Sequence, residues 1–121
     1  MTEQELRKEA RRQKRLEQLG TNDPCCGVCG ETDYRCLELH HVAGRRWDDQ
    51  MVAVCRNCHR KVSDDQQDHP RFRPVSDPAL DSIGHFLLGL ADLLRLIVEK
   101  LAAFGAVLIE RASAPVAGDA A

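Results

Sequence analysis

The chain has 121 residues, 43% hydrophobic, 30% charged and only 4% aromatic, with six Cys and five His. That length excludes two full cores, and five aromatics leave so thin a core that a domain of this size is expected to rely on disulfides or a structural metal. Seventeen Lys and Arg against nineteen Asp and Glu give a formal net charge of −2, which excludes a uniformly basic surface and turns attention to how charge is segregated along the chain.

Residues 1–20 read as a basic helix, with helical propensity over Thr2–Leu19. Within it Arg7, Lys8, Arg11, Arg12, Lys14 and Arg15 form a cluster interrupted by one acid, Glu9. Such a cluster can follow a phosphate backbone, DNA foremost with RNA left open, through a salt-dependent and sequence-independent affinity. The plainer reading is a solvated helix laced by pairs of the Glu3–Arg7 kind, each worth roughly a few tenths of a kcal/mol. No apolar core of a secretory signal lies in this stretch, so a reducing, cytoplasmic setting is expected, where paired cysteines more often hold metal than form disulfides.

Residues 21–69 hold all six Cys and four of the five His. Cys26-Gly-Val-Cys29 and Cys55-Arg-Asn-Cys58 are two CxxC turns separated by 25 residues, a spacing that lets two knuckles complete a structural Zn²⁺ site with four thiolates. Disulfides, a redox CxxC, or Cys25 replacing Cys26 with a CxxxC spacing are the competing readings. Cys36 is expected to be a buried core thiol. Tyr34–His40 reads as a short strand, so His40 and His41 project to opposite sides. Met51–Val54 reads as a second strand and Arg56–Asp64 as a helix. On that helix Cys58 and His59 are about 100° apart, so one can face the zinc while the other looks away with Arg56, Arg60 and Ser63. Arg45 and Arg46 follow the histidine pair in a loop. From there they could clamp a phosphate, or pair with Asp48 and Asp49. His69 lies among acids and is expected at the surface.

Residues 70–79 form a linker punctuated by Pro70, Pro74 and Pro78. Residues 80–112 read as an apolar association helix in which Asp81, His85, Asp92, Arg95 and Glu99 make one narrow polar stripe. The wide apolar face has to be covered, by packing on the zinc domain, by a homodimer or by a protein partner. The uncharged runs are about half the 18 or more residues that a span needs, and the charges sum to near zero, so membrane association is disfavoured. Residues 113–121 are small and expected to be disordered.

The segments LELHHVAGR and VAVCRNCHRK, with the paired CxxC knuckles, resemble the HNH endonuclease family over about Cys26–Lys61. The resemblance implies a small α+β, ββα-metal (His-Me finger) domain, flanked here by the basic helix and the apolar one. It implies that His40 and His59 hold a catalytic divalent cation, Mg²⁺ or Mn²⁺ with Ni²⁺ and Zn²⁺ as further options, and that His41 is the general base. Gln50 stands where the family has its middle Asn, whose side-chain amide holds the loop that carries the base. Arg45, Arg46, Arg56, Arg60 and the basic helix would meet nucleic acid. The implied activity is metal-dependent hydrolysis of phosphodiester bonds in DNA, by nicking or double-strand cleavage. The rival expectation is a catalytically weak or inactive zinc module that binds nucleic acid or a protein.

Overall fold

The computed structural model describes residues 1–113 and 115–116; apart from Ser113, Pro115 and Val116, the tail expected to be disordered lies outside the described residues. Helix α1 (Glu3–Leu19) starts at a reciprocal cap: the Glu5 N–H donates to Thr2 Oγ1 at 3.1 Å, and the Thr2 N–H donates to the Glu5 carboxylate at 2.7 Å. It ends at Gly20, whose φ of 76° is a left-handed conformation that glycine adopts without strain. Only Leu16 and Leu19 of α1 are buried.

A 3-10 turn, Tyr34–Cys36, follows the first cysteine knuckle. Here the expected strand starts late: the Asp33 carboxylate accepts from the Arg35 backbone N–H at 3.0 Å and holds the Arg35 guanidinium at 2.8 Å, which curls the chain before it can extend. Strand β1 (Leu37–His41) then pairs antiparallel with β2 (Met51–Cys55), with Leu37 opposite Cys55 and His41 opposite Met51. Helix α2 (Arg56–Gln66) follows β2 without a loop, and Cys55 caps it by accepting the Cys58 N–H on its sulfur. The protein is therefore a small α+β fold with a two-stranded antiparallel sheet and three α-helices among the described residues.

Helix α3 runs from Pro78 to Ala112, two residues earlier than expected. Pro78 belongs to the helix because its missing N–H and fixed φ suit the first turn, and the Asp77 carboxylate caps it by accepting the Leu80 N–H at 3.1 Å. Leu93 and Leu96 join Leu19, Leu37, Val42, Val54 and Val62 in one core with Cys26, Cys55 and Cys58. No helix among the described residues is long and apolar enough to cross a membrane.

The first part of the polar stripe of α3, Asp81, His85 and Asp92, docks against the domain, contrary to the usual rule that such a stripe meets water, while Arg95 and Glu99 stay exposed. Asp92 and His85 are buried. Asp92 accepts from His69 at 2.6 Å and from Arg95 at 2.7 Å, and Asp81 accepts the Trp47 indole N–H at 2.9 Å. The Trp47 and His85 rings stack with centroids 3.8 Å apart. His69, expected at the surface, is thus a nearly buried partner of Asp92. The Asp81 and Asp92 carboxylates find partners across the interface, whereas Nδ1 of His69 and of His85 is buried with no hydrogen-bond partner among the described residues. Between them Gly89 lies on Val42, where any Cβ would fall inside the Val42 carbonyl.

Candidate metal centre and histidine cleft

The two knuckles meet where α1 leads into the sheet. The first hangs on β2 through the Gly27 N–H, which donates to the Ala53 carbonyl at 2.9 Å, and a Cβ at Gly27 would press on Val52 at 3.1 Å. Within it the Val28 and Cys29 N–H groups point at the Cys26 sulfur at 3.4 and 3.5 Å. The second knuckle is the junction of β2 and α2. Together Cys26, Cys29, Cys55 and Cys58 place four ligand atoms within 4.8 Å of one another. Cys29 Sγ and Cys55 Sγ are 3.6 Å apart, close to the roughly 3.8 Å that tetrahedral thiolates at 2.3 Å from one zinc ion require. These sulfurs can hold a metal ion such as structural zinc. All six cysteines are free of disulfides, and Cys25 is exposed, outside the cluster.

Charge explains why a cation suits this cluster. Burial pushes the Cys26 thiol up, but the N–H groups of Cys29, Cys55 and Val28 more than reverse that and hold it at about 7. Burial and the neighbouring sulfurs push Cys29 and Cys58 up. Without a cation the four sulfurs resist sharing negative charge, whereas a divalent ion neutralises them together.

The histidine pair also stands on β1 and α2. His40 is 3% exposed and His59 stands in the first turn of α2, with ring centroids 5.2 Å apart in an edge-on arrangement. Two imidazoles sharing one ion at about 2.1 Å have centroids roughly 5–6 Å apart, so this spacing fits a shared cation. Burial, then the nearby His59 and His41, push His40 down to about 4, leaving it neutral and able to act as a ligand near pH 7. Among the described residues the cysteine cluster is the one group of three or more close candidate ligands. The histidine pair offers two candidate ligands.

Glu38, which the sequence reading passed over, organises this pair. Two positions before His40 on β1, it shares that residue's side of the strand. Its carboxylate lies 2.6 Å from His59 Nδ1 and 3.4 Å from Arg56 Nε. A carboxylate on Nδ1 fixes that nitrogen as the N–H and leaves Nε2 as the free lone pair. The signal was present: an acid at i−2 from a strand histidine faces the same way. Glu38, Arg56, His59, Arg60 and Ser63 line an open cleft of about 540 Å³. Cys36 also lines it and is only half-buried, because the 3-10 turn lifts it out of the core position expected for it.

His41 leaves β1 on the opposite side from His40 and is half-buried. Gln50 does not hold the histidine loop through its side chain, which is exposed; its backbone does, with its carbonyl accepting the Val42 N–H at 3.0 Å. The gripping amide belongs to Gln66 at the end of α2, whose Nε2 donates to the carbonyls of His41 at 3.1 Å and Val42 at 3.3 Å. Sequence reasoning missed Gln66 because it lies 25 residues downstream of His41, outside any recognisable spacing.

Arg45 and Arg46 are exposed in the loop, and Arg46 lies over the Phe72 ring at 4.3 Å instead of pairing with Asp48 or Asp49. On α1, Arg7, Lys8, Arg11 and Lys14 are exposed. Arg12 pairs with Glu9 at 3.3 Å, and Arg15 donates to the Leu37 carbonyl. Arg15 therefore ties α1 to β1, while Arg7, Arg11 and Lys14 share one outward face of the helix. No family model, curated protein or solved structure matches the chain.

Proposed function

We propose that the protein is a metal-dependent endonuclease of HNH type that hydrolyses phosphodiester bonds in DNA, with a ββα-metal core. One observation carries the reading: a strand histidine, His40, and a first-turn helix histidine, His59, meet at 5.2 Å beside a cleft lined by Arg56 and Arg60. A divalent cation held there would stabilise charge on the scissile phosphate and assist departure of the 3′ oxygen. His41 accepts the proton of the attacking water, a task that suits an imidazole near neutral pH. Glu38 fixes the His59 tautomer, Arg56 and Arg60 contact the phosphate in the cleft, and the outward face of α1 adds non-specific affinity for the backbone. The cysteine centre keeps β2 and α2 in register with the first knuckle and takes no part in the reaction.

The competing reading, a zinc module that binds nucleic acid or protein without cleaving it, draws on the burial of His40 and the outward side chain of Gln50. Supercoiled plasmid separates the two. Zinc-loaded protein is incubated with Mg²⁺, Mn²⁺ or Ni²⁺ beside His41→Ala and His59→Ala. Nicking that both variants lose supports the enzyme, and intact plasmid in every metal rejects it.

A further inference from the structure

The docking of α3 through Asp81, His85, Asp92, Leu93 and Leu96 leaves most of its remaining apolar surface in water. Exposed positions include Leu80, Ile83, Leu87, Leu94, Leu101 and Phe104, with Leu101 66% exposed. From Val98 onward the helix leaves the domain: every residue up to Ser113 except half-buried Gly105 is exposed. A free helical arm this apolar is not stable in water by itself.

Its pattern says what covers it. From Leu80 a series at alternating steps of three and four runs up to Arg111; all its members before Arg111 are apolar, and all but half-buried Ile97 are exposed. That is the a/d repeat of a coiled coil, sustained over more than four heptads. The residues on the domain side, Asp81, His85, Gly89, Asp92 and Leu96, fall at b, c and f positions of the same repeat, and Phe86 and Leu93 at g, so the domain flanks the seam on its g side and leaves the a, d and e positions to a partner.

We propose that the occupant of this seam is a second copy of the chain, paired antiparallel along α3. With full overlap the layers are Ile83 with Leu108, Leu87 with Phe104, Leu90 with Leu101, and Leu94 with Ile97, all apolar. The outermost layer sets Arg111 beside Leu80 and within reach of the partner's exposed Asp77 at the start of its helix. Parallel pairing would instead bury Arg111 against its own copy. The e positions are Gly84, Ala91, Val98 and Gly105, and a Cβ at Gly84 or Gly105 would meet nothing within 4 Å, so the two backbones can approach closely on that side. A standard interface buries roughly 800 Å² per partner, and a seam of nine mostly half-exposed apolar side chains supplies area of that order. Antiparallel pairing also puts the two cysteine-centred domains at opposite ends of a rod about 50 Å long, where they do not collide.

Sedimentation equilibrium of the full, zinc-loaded chain tests this. The expected mass at micromolar concentration is twice the 13.5 kDa monomer. Leu101→Glu, on the arm beyond the domain, should weaken association by roughly a hundredfold with zinc content unchanged. Orientation is read from Leu80→Glu against Leu80→Gln: facing Arg111, the charged variant should dimerise about threefold more tightly, an advantage that salt removes. A monomer at all concentrations overturns the proposal, as does a trimer or larger species. Monomers that float with phosphatidylcholine–phosphatidylglycerol vesicles assign the face to lipid and overturn it too. A dimer in which Leu80→Glu is the weaker of the two variants overturns the antiparallel register.

Discussion

The Gln66 side-chain amide, on the last turn of α2, donates to the backbone carbonyl of His41 across 3.1 Å, and to that of Val42 across 3.3 Å. One helix thus carries His59 at its start and the clamp on the His41 loop at its end. Gln66→Ala should free the loop while leaving the cysteine centre intact. Hydrogen exchange at the Val42 and Gly44 amides should speed up by at least about tenfold, as expected for a lost hydrogen bond worth about 1.4 kcal/mol. If the nuclease reading holds, the plasmid-nicking rate falls with it. Unchanged exchange would show that the Val42–Gln50 backbone bond suffices.

Gly89 gives a sharper stability test. Gly89→Ala drives a methyl group into the Val42 carbonyl, so α3 must lift off or the loop must move. A loss of about 2–4 kcal/mol is expected, with earlier proteolysis of α3. Gly84→Ala meets nothing within its own chain, so below the concentration of association it should be neutral or stabilising by up to about 1 kcal/mol through helix propensity. Thermal melts of the two variants distinguish a specific contact from general intolerance of the helix.

Metal removal should unfold the centre of the chain. Chelation or Cys58→Ser leaves buried sulfurs without a cation to bind, and the aromatic-poor core cannot compensate; the expected loss is comparable to the whole stability of a small domain, about 5 kcal/mol or more. Circular dichroism and amide chemical-shift dispersion report it. Cys25→Ser, outside the cluster, should keep one zinc per chain.

Acid should weaken the fold through two buried imidazoles. Burial holds both His40, at about 4, and His85 below the ordinary histidine value. The folded pKa lies below the unfolded one, so their contribution is complete above about pH 6.5 and drains away as the pH falls from there towards about 4. His40 alone accounts for roughly 2 kcal/mol between pH 7 and pH 5, and His85 adds in the same direction. Urea midpoints at the two values should differ accordingly, and His40→Gln should flatten the dependence. An unchanged midpoint in the parent protein contradicts it.

Much of this was legible in the sequence because the signals are local. The CxxC spacings announced the cysteine cluster, period-two alternation put His40 and His41 on opposite sides of one strand, and the helical angle between Cys58 and His59 sent them to different neighbours. What escaped depends on contacts between distant segments. The partners of Gln66 and His69 are separated from them by 23 to 25 residues. The polar stripe of α3 was visible as a stripe, but amphipathicity alone assigns such a stripe to water. It turns inward because Asp81, Asp92 and His85 meet Trp47 and His69 there. The 3-10 turn at Tyr34–Cys36 was hidden for a different reason, since a capping aspartate overrode residues that favour a strand.

Trp47 is the chain's single tryptophan, and its ring stacks on His85 at 3.8 Å while its N–H donates to Asp81. Excitation selective for tryptophan therefore reports from one site, seated on the contact between α3 and the domain. Release of that helix hydrates the indole and shifts its emission to the red. Docking can be followed by spectroscopy on unlabelled protein, separately from the mass of the assembly and from the state of the thiols.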